Sequence, residues 1–173
     1  MITLFVEEIN NLTPKFYNNC ILNLQMHQLK CTCGRSACLK IHGYYKRFVK
    51  TNNDKLCFNI CRVKCDFCNT THALLLSSMV PYSQIPLMDF VSAVESYESM
   101  QTSSALTNLE TSMDESNLRY IIRQYLKYWK QKILSAKIKF HPVDILITSC
   151  FKSYNRQFMQ IKTTSNIIFF NTT

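Results

Sequence analysis

The sequence predicts an α+β fold, with a β-rich segment over residues 1–84 and a helical segment over 85–173. Three observations predict it. Cysteines cluster on both sides of LCFNICRVKC, a stretch that alternates in residue type and is rich in β-formers. Beyond Pro86, apolar residues recur at three- and four-residue spacing. Charge also changes sign in blocks. Residues 1–84 carry ten Lys/Arg and four Asp/Glu, residues 85–117 carry six acids and no base, and residues 118–173 carry ten bases and one acid.

Composition narrows the class. The chain of 173 residues is 47% hydrophobic, enough to bury a core and too apolar for a disordered tail. A formal charge of +9 favours an anionic partner such as nucleic acid or a membrane surface. MITLFVEEIN has no basic n-region and meets acids early, so no secretory signal is expected. The apolar run near ALLLSSMV is far too short to span a bilayer. A cytoplasmic protein with no membrane partner is expected. In that compartment nine cysteines point to metal binding rather than disulfides, and the odd count agrees.

The elements follow in order. Residues 1–30 favour strands. TNND at 51–54 reads as a turn, so 43–64 reads as a hairpin joining the two cysteine clusters. Pro86 suits the first turn of a helix over 86–99, with Leu87, Phe90, Val91, Val94 and Tyr97 on one side. A short helix is expected over 103–110. The strongest helix signal is TSMDESNLRYIIRQYLKYWKQKIL, capped by Asp114 or Ser112. Its apolar stripe is Leu118, Ile121, Ile122, Tyr125, Trp129 and Ile133. A last helix is expected after Pro142, running to position 157, with a short tail beyond.

The cysteines carry the clearest chemistry. Two tight turns that each supply a pair of soft ligands make a closed zinc-ribbon site. Cys65 and Cys68, in CDFC, form a standard second knuckle. The first pair comes from Cys31, Cys33 and Cys38 in CTCGRSAC, which lacks the usual C-x2-C spacing. Gly34 favours Cys31 with Cys33, because a knuckle often needs a residue free to take positive φ after its second ligand. Cys33 with Cys38 is the rival pair, and His42 a third possibility for a ligand. One structural Zn2+ is expected, with no position left open for substrate. Cys20, Cys57, Cys61 and Cys150 read as core cysteines.

CTCGRSACLKIHGYYKR followed by ICRVKCDFCNTTHALLLSSMVPYSQIP resembles the zinc-ribbon proteins carried by mobile elements of Firmicutes, a family mostly left as a domain of unknown function. The shared features are the paired knuckles, HGYYKR, RVKC and the THALL…VPYSQ segment, over about 31–86. A looser likeness runs through DESNLRYIIRQYLKYWKQ. In architecture the chain is also similar to the N-terminal region of insertion-sequence transposases, where a ribbon precedes a helix-turn-helix. The resemblance implies DNA binding through association with mobile elements.

Catalysis is not expected. Six of the eleven acids crowd into 85–117 and only Asp144 lies beyond, which leaves no carboxylate triad for two-metal chemistry. His27, His42, His72 and His141 form no sequence pair, and no nucleophile constellation appears. Duplex DNA binding is the favoured expectation, with 86–135 as a helix-turn-helix-like unit. Asn117, Tyr120, Arg123, Gln124 and Lys127 would then face outward from the reading helix, and these residue types suit base edges and phosphates. The hairpin adds Tyr44, Tyr45, Lys46, Arg47 and Lys50 on one strand and Arg62 and Lys64 on the next, a basic surface with aromatic interleaving. The alternative is a protein-interaction module or inhibitor, docking a recombinase, polymerase or host defence protein through its acidic 85–117 segment.

Overall fold

The computed structural model describes residues 1–6, 11–50, 54–100, 114–139 and 143–154. A four-stranded sheet occupies the N-terminal half and helices follow it, an α+β arrangement. The strands are β1 (Ile2–Leu4), β2 (Leu39–Lys50), β3 (Lys55–Cys65) and β4 (Thr71–Leu76), in the spatial order β1-β4-β3-β2. β1 runs parallel to β4, while β3 pairs antiparallel with both β4 and β2. The predicted hairpin is therefore present; positions 51–53 of its turn lie outside the described residues.

The strand expectation for residues 1–30 holds only at β1. Pro14–Leu22 is a helix, α1. Thr13 is extended and its Oγ1 accepts from the Phe16 N–H at 3.1 Å, while Pro14 fills the first helical position, where no N–H is needed. This cap outweighs the β-propensity of the aromatic and β-branched residues around it. The helix lays Tyr17, 1% exposed, edge-on against Phe58, ring centroids 6.1 Å apart. The Tyr17 hydroxyl accepts from Cys61 N–H at 2.8 Å and donates to Leu74 C=O at 3.1 Å. The β3–β4 ladder covers Arg62–Lys64 and Thr71–Ala73, so Cys61 and Leu74 would be its next pair. The hydroxyl stands in for the missing rung, and its burial pushes its pKa well up.

The buried face changes part-way along the hairpin, and β2 carries an irregularity that follows the change. Ile41 pairs with Val63 and Gly43 with Arg62, which leaves His42 as an extra residue. Gly43 sits at φ +151°, a conformation that favours glycine. Side chains alternate strictly along a strand, so one extra residue reverses the phase. Leu39 and Val49, both buried, consequently lie on opposite faces of β2. β3 mirrors the switch: Cys61, Val63 and Cys65 are buried on one face, Phe58 and Ile60 on the other.

The helical half has its own apolar cluster. α2 (Leu87–Met100) buries Leu87, Phe90, Val91 and Val94, with Tyr97 packed beside them. α3 (Glu115–Gln124) is capped by Asp114, whose Oδ1 accepts from Asn117 N–H at 2.8 Å; Ser112, the other candidate cap, and the expected helix at 103–110 lie outside the described residues. A π-turn over Tyr125–Trp129 joins α3 to α4 (Lys130–Ser135), with Lys130 N–H bonded to Tyr125 C=O. All six predicted stripe residues are buried. In an α-helix the four-residue steps from Tyr125 to Trp129 to Ile133 would each overshoot a full turn by about 40°. The wider π-turn absorbs that drift and keeps Trp129 on the core side. α5 (Val143–Tyr154) adds Leu146 and Cys150, and Tyr154 Oη donates to Lys132 C=O at 2.6 Å. No described helix is long and apolar enough to cross a membrane.

Candidate metal centre and basic hairpin face

Two turns bring four cysteines together. In the first, Cys31 N–H donates to Arg35 C=O at 2.8 Å, and Gly34 N–H donates to Cys31 C=O at 2.9 Å. Gly34 takes φ +88°, the conformation its place after Cys33 foreshadows. In the second turn Cys65 ends β3, Asn69 N–H donates to Cys65 C=O at 3.0 Å, and Cys68 N–H points at Cys65 Sγ at 3.5 Å. Asp66 N–H donates to Cys38 C=O at 2.9 Å and so braces one turn on the other. Arg35 adds a second brace, its guanidinium 3.3 Å from the centre of the Phe67 ring.

The Sγ atoms of Cys31, Cys33, Cys65 and Cys68 all lie within 4.8 Å of one another. Cys31 to Cys68 is 3.5 Å, and Cys33 to Cys65 is 3.9 Å. A tetrahedral site with metal–sulfur bonds of about 2.3 Å has sulfur–sulfur edges of about 3.8 Å, so the four thiols fit a metal ion. Cys38 instead donates its thiol to Arg35 C=O at 3.3 Å, and His42 is the exposed bulge residue; neither belongs to the four.

The thiols differ in acidity. The Cys68 N–H, helped by that of Phe67, holds Cys65 down to about 6, while burial pushes Cys31 up to about 12. A bound divalent cation would supply the positive charge that lets a buried thiol such as Cys31 ionise. His72 is 2% exposed and sets its Nε2 3.3 Å from Cys31 Sγ. Its Nδ1 lies 3.0 Å from the Met1 amino group, which leaves Nε2–H free to donate to the sulfur. Burial, then that nearby ammonium, lowers the His72 pKa, so the ring is neutral near pH 7.

The proposed DNA-contacting residues of the hairpin do not share one surface. After the bulge, Tyr44, Lys46 and Lys50 stand exposed on the face of Leu39, with Tyr44 52% exposed. Tyr45 and Arg47 lie on the other face, with Arg62 and Lys64. Arg47 is a structural clamp: its guanidinium donates to Val80 C=O and, at 2.6 Å, to Ser83 C=O. These placements divide the single basic surface expected of these seven residues between two faces, because successive side chains alternate along a strand. On the long helix Tyr120, Arg123 and Lys127 are exposed, whereas Asn117 and Gln124 are half-buried.

The profile of one protein family, described as a domain of unknown function (DUF6431), matches residues 30–120. The chain belongs to DUF6431. No curated protein and no solved structure matches it.

The DUF6431 match takes in all four centre cysteines, His72 and the whole hairpin. α1, with Tyr17, lies before it, and Arg123 and Lys127 lie beyond it. Several residues of the site were not visible in the sequence. His72 reaches Cys31 across 41 positions, and no local spacing marks that contact. Phe48 and Lys55 also join the exposed face, Lys55 Nζ lying 4.6 Å above the Phe48 ring. The HG dipeptide at His42–Gly43 was the available signal, since an isolated glycine in a strand marks a bulge. Cys57, expected in the core, is exposed opposite Phe48: it shares the face of Cys61, Val63 and Cys65, which is buried only at their end of the hairpin. Cys61 and Cys150 are buried as expected, and Cys20 packs partly buried against the sheet core.

Proposed function

We propose that this DUF6431 protein is a non-catalytic DNA-binding protein whose hairpin is held by one structural zinc ion. The observation that carries the reading is the exposed hairpin face, where Lys46, Lys50 and Lys55 stand with Tyr44 and Phe48 and no acid shares their strands. Lysines on a strand neutralise phosphates, and aromatic side chains among them are typical of nucleic-acid surfaces. The exposed Tyr120, Arg123 and Lys127 offer a helix for the groove of duplex DNA. Four thiolates in tetrahedral reach favour a soft ion, zinc among the common ones, and fill all its positions. Resemblance of the knuckle and hairpin motifs to mobile-element ribbons supports a regulatory or accessory role in such an element.

Docking through the acidic segment has less support. Glu98 pairs with Lys130 at 2.9 Å and Glu115 with Arg119 at 2.5 Å, so two of its acids already have partners in this chain.

Fluorescence anisotropy with a labelled duplex across a salt series tests the proposal. Binding should weaken log-linearly with salt, by about 0.9 log units per log unit of salt for each phosphate contacted. Lys46→Glu and Arg123→Glu should each weaken binding with metal content unchanged. Absence of binding to any nucleic acid at low salt would overturn it.

A further inference from the structure

The exposed hairpin face has more than charge. Tyr44, Lys46, Phe48 and Lys50 alternate along β2 after the bulge, and Asn59, Cys57 and Lys55 stand opposite the last three of them on β3. All seven are exposed, Tyr44 at 52% and Phe48 at 38%. The sheet holds both rings firmly. β2 and β3 pair along their full length, and Tyr17 ties β3 to β4 at the level of Tyr44's partner, Cys61.

From this arrangement we infer that the face is a stacking platform for single-stranded nucleic acid, with Tyr44 and Phe48 each receiving an unpaired base. The inference rests on the nucleic-acid reading above and names the form of ligand that this face takes. Side chains stand roughly perpendicular to a sheet, so both rings are presented on one side of it. Four residues of strand separate them by about 13 Å, which leaves room for an intervening nucleotide beside Lys46. A duplex hides the faces of its bases in a continuous stack, whereas a single strand can splay them onto aromatic rings. Lys46 and Lys50 flank the rings where a backbone would pass, and Lys55, whose Nζ lies 4.6 Å over the Phe48 ring, swings aside onto that backbone when a base takes its place; neither strand carries an acid. Neither ring reads base identity, so the platform should tolerate sequence.

The full chain, metal-loaded, is titrated by anisotropy against a labelled oligo-dT, the matching oligo-U, and a duplex of equal length. Both single strands should bind, and comparing them shows whether DNA or RNA is preferred. Phe48→Leu and Tyr44→Leu should each weaken single-strand binding by about fivefold or more, while Tyr44→Phe, which keeps the ring, should bind as the parent does. In both leucine variants the loss of single-strand affinity should exceed any loss of duplex affinity at least severalfold. Bound oligo-dT should also protect the exposed Cys57 from alkylation by N-ethylmaleimide, read by mass spectrometry at that site. Should one leucine variant fail to fold, the other and the Cys57 protection still decide. Duplex binding without single-strand binding, or leucine variants that bind single strands like the parent, would overturn the platform and leave the broader DNA reading standing. Loss of binding to every nucleic acid would remove both.

Discussion

His72 Nε2 lies 3.3 Å from Cys31 Sγ, although 41 residues of chain separate them. The pairing follows from the sheet: Val63 stands opposite His72 in the β3–β4 ladder, which carries the imidazole back toward the cysteine turns. A donor aimed at a thiolate sulfur orients the ligand and offsets part of its charge, and such outer partners are worth about 10–100-fold in metal affinity. His72→Ala should therefore bind zinc more weakly by about that factor, measured by competition with a chromogenic chelator. His72→Gln, which keeps an N–H donor, should recover part of the loss. An alanine variant that holds zinc as tightly as the parent would reduce His72 to a packing residue.

Metal should govern one half of the molecule more than the other. The buried residues fall into two clusters, one on the two faces of the sheet and one around Trp129. Elemental analysis should find one zinc per chain, and Cys65→Ser or Cys68→Ser should abolish it. Hydrogen exchange should then show the hairpin opened. Trp129 is the single tryptophan and fully buried, so its blue-shifted emission should persist in the same variants. Simultaneous loss of both signals would show one cooperative unit instead.

Tyr17→Phe isolates a single hydroxyl. It removes the group between Cys61 N–H and Leu74 C=O while leaving the ring on Phe58. Two buried backbone groups lose their partner, at a cost of about 1–3 kcal/mol. Equilibrium urea unfolding should show this as a lower midpoint with an unchanged slope.

Acid should loosen the start of α3. Bonds from Asn117 N–H, then from the Ser116 hydroxyl, hold the Asp114 carboxyl below its usual pKa. A group depressed in the folded state stabilises it above the unfolded pKa, and that contribution is lost as pH falls through the folded value. Helix stability should thus decline as pH falls below about 4. Asp114→Asn keeps a capping acceptor without the charge, so it should retain the helix and lose this part of the acid sensitivity. Thermal melts of the two proteins at pH 7 and pH 3 make the comparison.

Local chemistry carried much of this protein in readable form. The stripe from Leu118 to Ile133 needed only helical periodicity, and all of it is buried. Gly34 after Cys33 pointed to the first knuckle because a backbone requirement shows in a single residue type. The hairpin could be read from alternation, since pairing of adjacent strands is a short-range event.

Other features depended on the assembled sheet. Alternation predicts two faces but not which one is covered, and the extra residue at His42 reverses the answer halfway along β2. That extra residue puts Val49 on the face opposite Leu39, where it is buried, and puts Tyr44, Lys46 and Phe48 on the face of Leu39. Arg47 looked like a phosphate ligand by composition, yet carbonyls 33 and 36 positions away hold it. Tyr17 and His72 gained their roles the same way, from groups distant in the chain. Residue type and spacing encode what neighbours along the chain can do. Which groups meet across the sheet is set by register, and one inserted residue is enough to change it.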